Sequence, residues 1–383
     1  MSIETELIAA KGHLDDCYNA VIYCGGTVPQ NQCLANLPSA IDSINGGLPV
    51  GTAASRYDID SNGNVNTNNI SYSSGIFYNI THIDNQALFK FLSQDTGISN
   101  KTYFNNVSFP VLVEIGDSGC REAFYDCLVY KALLPSLTTV GDYGCQKMFE
   151  KCTQLNEVNL NSLTTIGTQG CYSMFVDCTS ILSVSLPSLT TVEQYNACNS
   201  MFRGCTGITN VDCSSLTTIG GTYGYGCYSM FEGCTNLSTV NLNSLTTITS
   251  QSSCTNMFDG CTSLQSINLG SLETISGTET CKYMFYNCTN LSSVDLSSLQ
   301  SISSNYACQT MFYNCTSLTS ISFPSLVSVG NQYTGTELSN MFFGCTNLTE
   351  IHFKSNMQSI ISDLVGYSSQ FGATNATIYF DLP

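Results

Sequence analysis

Apolar positions along most of the chain follow two rhythms that take turns. In segments such as Leu155-Asn156-Glu157-Val158-Asn159-Leu160, Val158 and Leu160 stand two apart, which is the period of a strand with one face turned inward, while Glu157, Asn159 and Asn161 face out. In segments such as Cys145-Gln146-Lys147-Met148-Phe149-Glu150-Lys151-Cys152 the apolar residues stand at i, i+3, i+4 and i+7, the spacing of one helical face. One unit is therefore predicted to be a short strand, a turn and a helix of roughly two turns.

The unit recurs. The pattern C-x-x-M-F-x-x-C is found at Cys145 to Cys152, Cys171 to Cys178, Cys198 to Cys205, Cys227 to Cys234, Cys254 to Cys261, Cys281 to Cys288 and Cys308 to Cys315. A degenerate copy precedes them, with Ala123 in place of Met, and another follows, with Leu338 in place of the first Cys. The second cysteines of these nine units are separated by 25, 26, 27, 29, 27, 27, 27 and 30 residues. No such unit buries its apolar stripe alone, so the units must stack into a solenoid.

The L-x-x-V-x-L spacing matches the strand signature of a leucine-rich repeat. The run Cys315-Thr316-Ser317-Leu318-Thr319-Ser320-Ile321-Ser322-Phe323-Pro324-Ser325-Leu326-Val327-Ser328-Val329-Gly330 resembles the BspA-like branch of bacterial leucine-rich repeats nearly position for position. The period here is longer than is usual in that branch, with the excess in the loop before each C-x-x-M-F segment. The fold expected is an α/β leucine-rich-repeat solenoid of about nine units of 25–30 residues behind a small helical N-terminal segment. Boundaries are expected at 1–46 (attachment and oligomerisation), 47–106 (linker and N-terminal cap), 107–356 (repeats) and 357–383 (C-terminal cap closed by a strand at Thr377 to Phe380).

The first 46 residues follow a different rule. Ile3, Leu7, Ala10, Leu14, Cys17, Val21 and Cys24 step by alternating fours and threes, the a/d rhythm of a coiled coil, and Gly25-Gly26 stops it. Ile3, Leu7, Leu14 and Val21 are the candidate oligomerisation residues. Three heptads are few for an isolated coiled coil, so a helical hairpin packed on itself or a neighbour is the alternative. Residues 20–44, with Gly25-Gly26-Thr27-Val28-Pro29 and Asn36-Leu37-Pro38-Ser39-Ala40-Ile41-Asp42-Ser43-Ile44, resemble N-terminal segments of tail and baseplate proteins from phages of Gram-positive bacteria. Tyr23-Cys24 stands where those segments carry a Lys before the glycines.

Charge removes one class of partner. Eleven Lys plus Arg against 28 Asp plus Glu give a net charge of -17, which argues against a nucleic-acid surface. No apolar run is long enough to span a membrane, and the first residues lack the basic and apolar regions of a secretory signal. Charged residues are only 10% of the chain, so a surface of neutral Asn, Ser and Thr is expected.

The 21 cysteines invite disulfide or zinc readings. Helical residues seven apart stand about 10.5 Å apart along the axis, beyond bridging range, and stacked helices about 8–10 Å apart make regular inter-repeat bridges or zinc sites awkward. The expectation is a buried thiol ladder with no metal and no cofactor. Cys213 agrees, since it takes the inward strand position after Val211 and Asp212. Asp58-Ile59-Asp60-Ser61-Asn62-Gly63 imitates a calcium loop but lacks the acid at its twelfth position, Asn69. The three histidines, His13, His82 and His352, lie in different regions and no catalytic motif is present, so no enzyme activity is expected.

Two surfaces remain for binding. One is the outer strand face, a ladder of small polar residues from Glu157 and Asn159 to Glu350 and His352, read either as a glycan surface or as a solvated sheet. The other is the loop before each helix, where Tyr143, Tyr195, Tyr223, Tyr225, Tyr306 and Tyr333 gather, with Tyr172, Tyr228, Tyr283 and Tyr313 on or beside the following helix. Tyrosine offers large contact area at low entropic cost, or it seals the solenoid edge. Together the two resemblances imply a non-enzymatic phage fibre or tail-associated protein, assembled in the host cytoplasm and exposed on the virion. It would bind other virion proteins through residues 1–46 and a bacterial surface glycan or protein through the solenoid, as a homo-oligomer with a trimer favoured. The alternatives are a BspA-like adhesin at the bacterial cell surface and a purely structural virion decoration.

Overall fold

A computed structural model describes residues 75–76, 81–88, 103–330, 336–361, 371–373 and 375–383. The segment 1–46, with its heptad residues Ile3, Leu7, Leu14 and Val21, and the Asp58 loop lie outside them.

The described chain winds into coils that stack in parallel. The strands of successive coils, Glu157–Asn159, Ser183–Ser185, Asn210–Asp212, Thr239–Asn241, Ser266–Asn268 and Ser293–Asp295, carry the outward polar residues predicted from the sequence. Pairing is in register, for example Val211 beside Val184 and Val240. A second array of two-residue strands, such as Thr218–Ile219, Thr247–Ile248 and Thr274–Ile275, follows six residues later in each coil. Within the segment expected to be linker and cap, Gly75–Ile76 already pairs with Tyr103–Ser108, so parallel stacking begins there. At the other end Thr377–Leu382 pairs with Glu350–Lys354.

The third side of each coil differs from the predicted helix. Helical turns among the described residues occur only at 355–361, and each C-x-x-M-F-x-x-C run is a chain of overlapping turns. The N–H groups of Gln146, Met148 and Glu150 donate three residues back, to Tyr143, Cys145 and Lys147. Those of Cys145, Lys147, Phe149 and Lys151 donate instead to Gly170, Tyr172, Met174 and Val176 of the next coil, at 2.7 to 2.9 Å. Every fourth residue takes a left-handed backbone: Tyr143 at φ 58°, Lys147 at 56° and Lys151 at 65°, and likewise Tyr225, Ser229 and Gly233. A right-handed helix cannot hold such residues.

The physical reason lies in hydrogen-bond accounting. A helix of eight residues leaves four N–H and four C=O groups without partners, and short helices are marginal in water. The turn ladder sends alternate N–H groups across to the next coil and binds its neighbours tightly. It still turns the i, i+3, i+4 and i+7 residues inward, since Cys145, Met148, Phe149 and Cys152 are all fully buried.

Equivalent side chains therefore stack along the solenoid. Phe124, Phe149, Phe175, Phe202, Phe231, Phe258, Phe285, Phe312 and Phe342 form one column, with ring centroids 5.2 to 5.7 Å apart and planes within 8° of parallel. Phe371 closes it edge-on against Phe342 at 5.1 Å. Burying each ring contributes roughly 1.5–3 kcal/mol, and each contact between rings about 0.5–1.5 kcal/mol more.

All 18 described cysteines are buried. From Cys152 onward, the second cysteine of each unit ties its coil to the one before, because its thiol donates to the phenylalanine carbonyl there, as from Cys178 to Phe149 at 3.0 Å and from Cys261 to Phe231 at 3.2 Å. The hydroxyls fasten coils in the same way. Thr164, Thr217 and Thr246 donate to the carbonyls of Thr138, Thr190 and Thr217, while Ser162 and Ser188 donate to those of Pro135 and Asn161. Much of the Ser and Thr content is thus tied up between coils.

Candidate functional site

The outer strand face is less available to a ligand than its composition implies. Asn159, Asp212, Asn241, Asn268 and Asp295 each turn a side-chain oxygen back onto the backbone N–H two residues on, at 2.8 to 3.3 Å. These are Asx turns that end each strand and redirect the chain. The amide of Asn241 also donates to Asp212 at 3.1 Å. At the C-terminal end His352 bonds Asp381 at 2.9 Å and stacks on Tyr379 at 4.8 Å, and its pKa is raised mainly by that carboxylate, then by Glu350.

The turn ladder presents a different surface. Tyr143, Tyr225 and Tyr306 all lie two residues before a first cysteine, and all three hold the left-handed backbone with φ 58° to 59°. They are equivalent positions on every third coil, so at one strand spacing per coil they stand roughly 15 Å apart in a single file. Tyr143 lies under the Arg121 guanidinium at 5.9 Å. Tyr225 meets Tyr195 edge-on at 6.0 Å and Tyr228 at 5.8 Å. Tyr306 lies under the Lys282 ammonium at 5.9 Å, which Glu279 holds at 2.6 Å. Tyr223 is 67% exposed, the most open of the large apolar and aromatic side chains on the described surface. Tyr333 lies outside the described residues. The described tyrosines thus form separate groups along one edge.

A second aromatic group joins Tyr283 and Tyr313, which the sequence singles out, to Tyr286 and Phe343, which it does not. The sixth position of the C-x-x-M-F-x-x-C unit carries Tyr286, Tyr313 and Phe343 in three successive coils. Tyr286 and Tyr313 stack at 4.6 Å, Tyr313 and Phe343 at 5.1 Å, and Tyr283 abuts Tyr286 edge-on at 5.4 Å. The signal is a single column read across the repeats, visible once equivalent positions are aligned.

The same column is charged further back. Arg203 pairs with Glu232 at 3.3 Å, and the next carboxylate, Asp259, has its pKa pushed up to about 6 by burial and by the negative charge of Glu232. Burial likewise raises the pKa of Tyr286, with smaller contributions from Tyr313 and Asp259. No three His, Cys, Asp or Glu side chains gather to hold a metal among the described residues. Nor is any described helix long and apolar enough to cross a membrane.

The coil geometry agrees with what comparison of the sequence finds. A model of the BspA type leucine rich repeat region matches in six copies, over residues 73–200, 117–252 and 225–337. The chain belongs to this family. No curated protein matches it. Among solved structures, this BspA-type chain is similar to a leucine rich cell surface protein from Faecalibacterium prausnitzii, with 19% identity over 81% of this chain and 85% of that one and a TM-score of 0.30. It is also similar to a leucine-rich repeat protein from Eubacterium ventriosum, with 19% identity, 66% and 76% coverage and a TM-score of 0.31. A T. pallidum leucine rich repeat protein gives 15% identity, 73% and 86% coverage and a TM-score of 0.30.

Proposed function

We propose that this BspA-type solenoid is a non-enzymatic binding scaffold that contacts a bacterial surface glycan or protein through its tyrosine-bearing turn edge. The observation that carries the reading is the file formed by Tyr143, Tyr225 and Tyr306, fixed by identical backbone geometry on a rigid stack. Rigid presentation lowers the entropy cost of each contact, and several copies on one surface raise avidity without new contacts. The opposite face supports this choice, because its Asx side chains are occupied by the fold.

The carrier we favour is a phage particle, with the chain acting as a fibre or tail-associated protein. Residues 1–46 would join it to other virion proteins and assemble it as a homo-oligomer, a trimer in the preferred case, through Ile3, Leu7, Leu14 and Val21. That reading rests on the heptad rhythm and on the resemblance of residues 20–44 to phage tail segments. An exported adhesin on a bacterial cell is the second reading, favoured by the family match. Deleting residues 1–46 separates them. Loss of incorporation into particles, with light scattering showing an oligomer reduced to a monomer, supports the virion. Continued display on cells and an unchanged mass support the adhesin.

A further inference from the structure

The turn ladder changes what the cysteines can do. Stacked helices would hold equivalent cysteines too far apart for regular bridging, whereas here adjacent ladders are hydrogen-bonded directly. Cys145 N–H donates to Gly170 and Lys147 N–H to Tyr172, on either side of Cys171. Backbones joined in this way lie about 4.8 Å apart, inside the window of roughly 4.4–6.8 Å that a disulfide requires. The parallel Phe column, at 5.2 to 5.7 Å per step, shows the same spacing for equivalent side chains. First cysteines form one such file from Cys120 to Cys308 and second cysteines another from Cys127 to Cys345.

Bridging would nevertheless undo the core. The thiols of Cys152, Cys178, Cys205, Cys234, Cys261, Cys288, Cys315 and Cys345 each donate a proton to a phenylalanine carbonyl one coil back, at 2.9 to 3.3 Å. A disulfide has no proton to donate. The folded chain protects these groups, because all 18 are buried, and burial raises the thiol pKa at positions of both files such as Cys145 and Cys261, which suppresses the thiolate that attacks a disulfide. The unfolded chain has no such protection. It places thiols seven residues apart on a flexible backbone, and a short loop of that kind closes readily.

We propose that the solenoid folds only from its fully reduced chain and afterwards shields its thiols, so that it must be completed in a reducing compartment and can then be exposed to an oxidising one. The reaction avoided is exchange with a low-molecular-weight disulfide. Two cysteine thiols and one glutathione disulfide would give one protein disulfide and two glutathione thiols, the protein being oxidised and the glutathione reduced. The inference stands independently of the receptor reading. It favours folding inside a cell and release by lysis over secretion of an unfolded chain into an oxidising medium.

The test has two arms on the full chain. Folded protein is held with glutathione disulfide, quenched in acid, alkylated and mapped by mass spectrometry. Urea-unfolded protein is diluted into buffer containing either dithiothreitol or glutathione disulfide, and native protein is scored by its melting transition. The expected result is unmodified thiols at the 18 described positions in the first arm. In the second, the yield of native protein should be at least tenfold lower with glutathione disulfide. If dilution from urea gives no native protein in either buffer, cell-free synthesis with and without glutathione disulfide supplies the same comparison. Equal native yields under both conditions, or disulfides formed within the folded protein, would overturn the proposal.

Discussion

Gly233 is the residue at which turn ladder and helix make opposite demands. It holds φ 73°, and a methyl group added there would meet nothing closer than Gly204 at 3.8 Å, so its backbone angle alone decides the effect. Gly233→Ala should cost roughly 1–2 kcal/mol in thermal or urea unfolding, whereas in a helix the same change would gain about 1 kcal/mol. Asp259 offers a second test. Its carboxyl takes up a proton more readily in the folded chain, so stability is lost as pH rises from the ordinary carboxylate range through about 6. Asp259→Asn should add on the order of 1 kcal/mol at pH 7, after discounting for solvent screening, and should flatten that part of the stability profile. The sequence also holds a signal against the helix. The seventh position of the repeat reads Asp126, Lys151, Asp177, Gly204, Gly233, Gly260, Asn287, Asn314 and Gly344, largely residues that tolerate a left-handed backbone.

A coil is stabilised by its neighbours, and the Phe column is the clearest expression of that. Phe231→Ala should destabilise by about 3–5 kcal/mol, since a fully buried ring is lost between two stacked partners. Contacts run only between adjacent coils, so hydrogen exchange should rise most in the coils of Phe202, Phe231 and Phe258 and least near Phe124 and Phe342. A uniform rise along the chain would mean that the stack opens as one unit. The strands are legible at this scale because Val211 and Cys213 alternate with Asn210 and Asp212, a pattern with one interpretation. The helix is not, because inward faces repeat at i, i+3, i+4 and i+7 in both the helix and the turn ladder. Periodicity reports which side chains are buried and leaves open where the backbone N–H groups go. The stacking of Tyr286, Tyr313 and Phe343 is hidden for a related reason: their ring contacts depend on coils joined at one strand spacing, which a stack of helices would not provide.

On the scale of the whole molecule, the repeat count and the parallel stacking are legible from the cysteine spacing. Which neutral polar residues are free is not, because the Asx turns and the hydroxyl bonds between coils require the finished stack. Acid should favour the fold. Among the described carboxylates, burial raises the pKa of Glu150 and Asp259, and Asp381 raises that of His352. A raised histidine contributes stability below its unfolded pKa and loses it as pH climbs through the folded value, so all three groups act in one direction. The melting temperature should therefore be higher at pH 5 than at pH 8, and scanning calorimetry at the two pH values checks it. The proposed binding role depends most on the tyrosine file, and the decisive measurement is adsorption of fluorescently labelled full-length chain to a panel of intact Gram-positive bacteria. Wild type is compared with a Tyr143→Ala, Tyr225→Ala, Tyr306→Ala variant of confirmed native fold. Wild type should bind saturably to at least one surface, and the variant at least tenfold more weakly. Equal binding of the two on every surface that holds the wild type would contradict a receptor contact through these tyrosines.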